Sequence, residues 1–374
     1  MKKVGILTMH RVLNNGSALQ AYATLEFCRR LGYDAELIDY VYPNEYHRKQ
    51  RMSLKFVLLK FVRFFLHFIQ GFPLQKTQRL FAAFYERWFV LSEKKYESRQ
   101  DLQQEKWSYD VFMVGSDQVW NPRHIVSDNS FFFDFLSPNL KCVSFSSSLA
   151  QKGLTEEQSK LFKEQLQKFS AISVREKNGQ ILLSQLLSRK IESHIDPTLL
   201  LTKSDYLPIA KQSVLKIEEP YILVYILKYA YHPYPYVNRV IEEAHRKTGL
   251  KVVCLDFSSR ERLRVKNVKY LRSVAGPSEF LYLFLNASLV ITTSFHGTAF
   301  SLNFGTPFYS IVNDEQTGDD RMVSLIEQCG VSERIIVKNQ PNFEIDLNLN
   351  NELIQENLRK EREKAENYLK FVLS

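Results

Sequence analysis

Four clusters in this sequence combine residue types that can hold an anion and move a proton. The first is Leu289 to Phe308, LVITTSFHGTAFSLNFGTPF, where an apolar run ends in small polar residues and His296-Gly297 opens a segment with helical spacing. Strand, tight turn and helix place His296 at the carboxyl end of a strand and beside a helix N-terminus. Ligands of open α/β sheets bind at such strand ends, and helix N-termini favour anions. Histidine is the side chain that gives or takes a proton near neutral pH. Ser294, Gly297 and Thr298 supply small or hydroxyl groups that let a ligand approach the backbone.

The second cluster is Val111 to Pro122, VFMVGSDQVWNP. Its apolar strand stops at Gly115 and presents Ser116, Asp117 and Gln118. Asp117 suits a general base towards a hydroxyl and Trp120 an apolar platform for a sugar ring; the competing reading makes Ser116 or Asp117 a cap of the next turn. The third is ISVREKNG, residues 172–179. There Arg175 ends a strand and projects a guanidinium suited to carboxylate or phosphate, unless it pairs locally with Glu176 or another acid. The fourth, HIDPTLL, residues 194–200, turns at Asp196-Pro197 and reads as structural, ordering an interdomain edge.

These groups need a frame. Val4 to Met9 reads as a strand, His10 to Ser17 as a polar loop, Ala18 to Leu31 as a helix and Ala35 to Asp39 as the next strand. That order implies a parallel sheet with right-handed crossovers. Strands follow at Val111 to Gly115, Lys141 to Ser146 and Ala171 to Arg175. After Pro208 the pattern restarts: strand Tyr221 to Leu227, helix Val237 to Thr248, strand Lys251 to Leu255, a strand around Leu271, helix Glu279 to Asn286 and strand Leu289 to Thr292. The expected fold is α/β, with two Rossmann-like domains facing a cleft. We divide the chain into an N-terminal domain 1–207 with a helical insertion 45–90, a C-terminal domain 208–345, and a helix within 346–374 that packs back on the first domain.

Composition agrees with this size. The chain has 374 residues, a hydrophobic content of 45% and a formal charge of +9. The charge favours anionic partners, but the basic residues are dispersed and match no nucleic-acid module. Cys28, Cys142, Cys254 and Cys329 are widely spaced, which disfavours a zinc site or a disulfide framework and fits a reducing cytosol. MKKVGILTMHR reads as a first strand rather than a secretory signal. The run Leu54 to Ile69, with Lys60, Arg63 and His67 on one stripe, would be roughly 24 Å long as a helix, short for a bilayer span. It suits either a helix lying on an anionic membrane surface or a helix packed on its neighbour or at a homo-oligomer contact.

In this order and spacing, NNGSALQAY (14–22), GSDQVWN (115–121), SVRE (173–176), Asp196-Pro197 and SFHG (294–297) resemble the polysaccharide pyruvyl transferases. The resemblance runs from Val4 to about Leu325. It implies two facing Rossmann-like domains, similar to the GT-B glycosyltransferase architecture. It implies transfer of pyruvate from phosphoenolpyruvate onto a sugar as a ketal, with His296 and Asp117 catalytic and Arg175 on the donor. Ser294, Gly297 and Thr298 would complete the donor site, and Asn15, Gln20, Gln118 and Trp120 would meet the acceptor. Some members carry Arg-Leu-His where this chain has Ser294-Phe295-His296; a second cation would then come from Arg272, Arg321 or Lys228, or Ser294 would bind the anion by hydrogen bonds. No cofactor or metal is expected, so activity should survive a chelator. The resemblance further implies a lipid-linked acceptor at the inner face of the cytoplasmic membrane, a galactose-type hexose with a 4,6-ketal being the family habit. A nucleotide-sugar glycosyltransferase of the same pathway and a non-catalytic sugar-binding scaffold are the competing classes.

Overall fold

Two six-stranded parallel sheets carry the chain. The computed structural model describes residues 1–42, 73–125, 128–227, 231–255, 263–271, 275–313 and 321–374. The first sheet contains β1 (Lys3–Leu7), β2 (Asp34–Tyr40), β3 (Leu91–Tyr96), β4 (Val111–Val114), β5 (Cys142–Ser144) and β6 (Phe169–Ala171), in the order β3-β2-β1-β4-β5-β6. A short parallel pair, β7 (Ser173–Val174) and β8 (Glu192–Ser193), follows. The second sheet contains β9 (Tyr221–Tyr225), β10 (Lys251–Leu255), β11 (Lys269–Leu271), β12 (Leu289–Thr292), β13 (Phe308–Val312) and β14 (Ile335–Val337), in the equivalent order β11-β10-β9-β12-β13-β14. Strand order reverses beside β1 in one sheet and β9 in the other. Those are the switch points at which doubly wound sheets open a ligand crevice.

The central strands show why the sequence chooses this architecture. Val111 to Val114 and Leu289 to Thr292 are buried along their whole length. Continuous apolar runs of this kind suit parallel strands covered on both faces. Gly115 ends the first run because the chains approach closely there: a Cβ on it would come 2.9 Å from the Thr8 Cβ.

Three boundaries differ from the sequence expectation. The first long helix spans Asn15–Arg30, so residues 15–17 of the expected loop form its opening turn; Asn14 caps it by accepting a bond from the Ser17 N–H. The expected strand Ala171 to Arg175 is broken between β6 and β7, which turns Arg175 out of the main sheet. The strand expected over Lys141 to Ser146 is limited to Cys142–Ser144. Beyond it, Ser144, Ser146 and Ser147 hydroxyls donate to the carbonyls of Ser173, His194 and Gly115.

The two halves share a continuous apolar core that includes residues of both sheets. Asn303 donates to the carbonyls of Thr198 and Leu201 at 2.9 and 2.8 Å, which anchors the helix Phe295–Phe304 of the second half to the first. The helix Asn351–Leu373 reaches the first half as well. Tyr368 donates to the Ser144 carbonyl at 2.9 Å, and Arg362 to the Leu199 carbonyl at 2.6 Å. The expected surface helix Leu54 to Ile69 lies outside the described residues, among which no helix is long and apolar enough to cross a membrane.

Candidate active site

The segments that follow β4, β7, β8 and β12 meet around Asp196, and those after β4 and β12 reach the first turn of the helix Asn15–Arg30. β4 delivers Ser116 and Asp117. Asp117 has φ of 70°, a left-handed geometry that Asp tolerates better than most residues. One carboxylate oxygen accepts from the Gln118 N–H at 2.8 Å, and the other accepts from the Ser17 hydroxyl. One oxygen is thus held by the adjacent backbone N–H, and the second already serves a hydroxyl.

Arg175, beyond β7, does pair with an acid, as the competing reading has it, but the acid is Asp196 and not Glu176. Glu176 instead accepts from the N–H groups of Leu149 and Ala150 at 2.7 and 2.8 Å and from the Ser148 hydroxyl. Arg175 donates from Nη1 to Asp196 Oδ2 at 2.7 Å. Its Nε and Nη2 are buried and have no hydrogen-bond partner among the described residues. Those two nitrogens form one edge of the guanidinium fork, the edge that matches a carboxylate or phosphate bidentately. Burial without a partner costs about 1–3 kcal/mol per group and more for a charged one, so this edge is poised for an anion.

Asp196, read from sequence as a structural turn, is the hub. Its Oδ1 accepts from the Thr198 N–H at 3.0 Å and the Thr198 hydroxyl at 2.7 Å; Oδ2 accepts from the Ser116 hydroxyl at 3.0 Å and from Arg175. Burial would raise its carboxyl, but the Arg175 charge, His296 and the Thr198 N–H hold it below the ordinary carboxylate range. The signal available in sequence was only its place in the motif series.

From β12 the chain enters the helix Phe295–Phe304. Ser294 is its N-cap and accepts from the Gly297 N–H at 3.3 Å. Gly297 backs onto Thr292, where a Cβ would meet the hydroxyl at 2.4 Å. The Thr298 hydroxyl is engaged with the Ser294 carbonyl and the Ser310 hydroxyl. Both positions thus also serve packing between the helix and the strands β12 and β13.

His296 faces the opposite half of the molecule. Its ring packs on Gly16, where a Cβ would come within 2.0 Å of Nδ1. Its Nε2 lies 3.9 Å from Asp196 Oδ2, beyond hydrogen-bond distance, and is buried without a hydrogen-bond partner among the described residues. Burial lowers its pKa below the ordinary value of 6.5; Asp196 and Asp117 oppose that shift, and Arg175 and Arg321 reinforce it. Burial thus favours the neutral imidazole. Phe295 lies beneath both cations, with the Arg175 guanidinium 4.3 Å and that of Arg321 5.9 Å from the ring centroid. Two helix N-termini and two guanidiniums thus surround one imidazole, a field that attracts a polyanion.

Other expected positions divide. Trp120 is fully buried, stacks on Phe132 and donates its indole N–H to the Phe131 carbonyl at 3.1 Å. It belongs to the core, which corrects its assignment as a sugar platform. Gln20 is also fully buried and braces Thr8 and the Ser17 carbonyl at 2.9 and 3.0 Å, so its amide acts on the first helical turn. Asn15 is buried on that turn with Oδ1 unpaired among the described residues, and Gln118 accepts from Asn121 at 2.7 Å. Arg272 and Lys228 lie outside the described residues.

Comparison with known proteins places this geometry. Among solved structures the chain is similar to UDP-GlcNAc 2-epimerase from Methanocaldococcus jannaschii, at 12% identity and a TM-score of 0.51 over 96% of this chain and 92% of that one. It is also similar to UDP-GlcNAc 2-epimerase from Neisseria meningitidis, at 12% identity and a TM-score of 0.50 over 100% and 94%. At such identity the likeness is one of fold, the GT-B-like arrangement of two parallel sheets. Among curated proteins none matches the chain. The sequence profile described as "Polysaccharide pyruvyl transferase" matches residues 14–315, a span that begins at the Asn14 cap and includes Asp117, Arg175, Asp196 and His296. This chain therefore belongs to the polysaccharide pyruvyl transferase family and is a transferase enzyme.

Proposed function

We propose that the enzyme transfers pyruvate from phosphoenolpyruvate to two hydroxyls of one sugar in a surface-polysaccharide repeat unit, releasing phosphate. The observation that carries this reading is the buried, unpaired Nε–Nη2 edge of Arg175 beside the unpaired Nε2 of His296. One group suits the donor's carboxylate or phosphate, the other its proton chemistry. Protonation of the donor's methylene carbon makes the adjacent carbon electrophilic. One sugar hydroxyl adds there, phosphate leaves with its bridging oxygen, and the second hydroxyl closes the ketal. The two hydroxyl protons balance the one added to carbon and the one carried off by phosphate.

His296 is the general acid in this scheme. Burial favours its neutral imidazole in the free enzyme, and a bound polyanion would draw a proton onto it. Asp117 is the base towards the acceptor hydroxyl, in the position where its carboxylate meets the Ser17 hydroxyl. Arg321 is the second cation, supported by its place over Phe295. Ser294, engaged as a helix cap, leaves that part to Arg321. General acid–base groups of this kind contribute roughly 10²–10⁴ in rate. No resident metal or cofactor enters the scheme, and turnover in the presence of a chelator is expected.

The acceptor we favour is a galactose-type hexose, closed as a 4,6-ketal, on a polyisoprenyl diphosphate at the inner face of the cytoplasmic membrane. The formal charge of +9 and the basic, aromatic run Leu54 to Ile69 support contact with such a carrier. Incubation of the wild-type enzyme with phosphoenolpyruvate and either a nitrophenyl galactoside or the lipid-linked unit tests the reading. Equimolar phosphate and product heavier by one pyruvyl ketal support it. Nucleotide release from a sugar nucleotide, without use of phosphoenolpyruvate, supports a glycosyltransferase instead.

A further inference from the structure

We infer that Asp196 is a positioning residue of the transfer, a single buried carboxylate that aims Arg175 and faces His296 through the same oxygen. The inference rests on the pyruvyl-transfer reading above. Asp196 Oδ2 accepts from Arg175 Nη1 at 2.7 Å and from Ser116 at 3.0 Å, and stands 3.9 Å from His296 Nε2. Oδ1 is held by both polar groups of Thr198. The carboxylate is fully enclosed, its side chain 0% exposed, while the Arg175 side chain is 3% exposed.

The geometry has two consequences. With Nη1 tied to Asp196, the guanidinium cannot turn, and its Nε–Nη2 edge keeps one direction. Productive geometry of this sort is sensitive: a displacement of about 1 Å costs roughly 10²-fold in rate. The second consequence is electrostatic. His296 is faced by Asp196 beyond β8, Asp117 beyond β4, Arg175 beyond β7, Arg321 at the start of the helix Arg321–Gln328, and the Gly16 backbone. Both arginines disfavour the imidazolium, and the Asp196 charge is the largest effect opposing them. Asp196 touches neither reacting group in our scheme; it acts through the two that do.

The test is Asp196→Asn, which keeps the size and removes the charge. The wild type and variant are compared by ring titration of ¹³C-labelled histidine, with the His296 signal assigned from His296→Gln, and by the pH profile of kcat/KM for phosphoenolpyruvate. We expect the His296 ring to titrate at lower pH in Asp196→Asn, the basic limb of the profile to move the same way, and turnover to fall roughly 10²-fold. A folded Asp196→Asn enzyme that loses turnover with the ring titration and the basic limb unmoved makes Asp196 a structural residue only and overturns the inference.

Should Asp196→Asn fail to fold, Ser116→Ala carries the test. It removes a neutral donor from Oδ2 and leaves the charge, so the ring should titrate at higher pH; an unmoved ring overturns the inference. Failure of the proposed reaction shows separately, as absent phosphate release by the wild type. The ring titration needs no turnover and then decides this inference alone.

Discussion

The His296 ring lies against Gly16 so closely that a Cβ on the glycine would come 2.0 Å from Nδ1. Two helices from opposite halves of the chain thus meet near their N-termini, with the imidazole of one packed on the glycine of the other. Gly16 sits in the first turn of a regular helix, so it is needed for the space it leaves and not for its backbone freedom.

Gly16→Ala should therefore separate stability from activity. Alanine favours the helix by about 1 kcal/mol relative to glycine, so helical content by circular dichroism should be retained. The added methyl displaces the His296 ring, and phosphate release should fall by roughly 10²-fold, the cost of misplacing a catalytic group. Normal turnover in this variant would show that the apposition is not the working geometry.

Arg175→Lys keeps the charge and loses the fork. A lysine cannot both hold Asp196 and present two parallel N–H groups to an anion. Loss of one charge-assisted hydrogen bond costs about 1.5–3 kcal/mol, so KM for phosphoenolpyruvate should rise roughly 10- to 150-fold. Steady-state kinetics at saturating acceptor measure this; an unchanged KM would remove Arg175 from the donor site.

Donor binding should take up a proton at His296. Burial holds the free imidazole below its ordinary value of 6.5, and a bound polyanion raises it again. Between the free and bound pKa values binding is coupled to protonation, so affinity increases as pH falls through that window. Calorimetry in buffers of different ionisation enthalpy reads the uptake directly. His296→Gln should lose it, and an uptake unchanged in that variant would place the proton elsewhere.

How far the residues alone reached differs between the fold and the site. Parallel strands such as Leu289 to Thr292 announce themselves as continuous apolar runs, and a long helix such as Asn351–Leu373 by apolar residues spaced at helical period among its charges. Arg175 and His296 stand at strand ends, where the alternation of strand and helix places them. Asp196 escaped because its partners, Ser116, Arg175 and His296, are 80, 21 and 100 residues away in the chain, and Asp-Pro alone signals only a turn. Trp120 differs for a related reason. A tryptophan after a strand end looks available to a sugar until Phe132, 12 residues later, folds back to cover it. Gly16 reads as loop in sequence because a capping Asn14 in the run Asn14-Asn15-Gly16 resembles turn chemistry.

The most direct test is phosphate release from phosphoenolpyruvate by the wild type and by His296→Gln, with a galactoside acceptor and product mass read in parallel. The wild type should give equimolar phosphate and pyruvyl ketal, and the variant, with its fold intact, should lose roughly 10²–10⁴-fold in rate. Near-normal phosphate release by His296→Gln would contradict the general-acid role of His296.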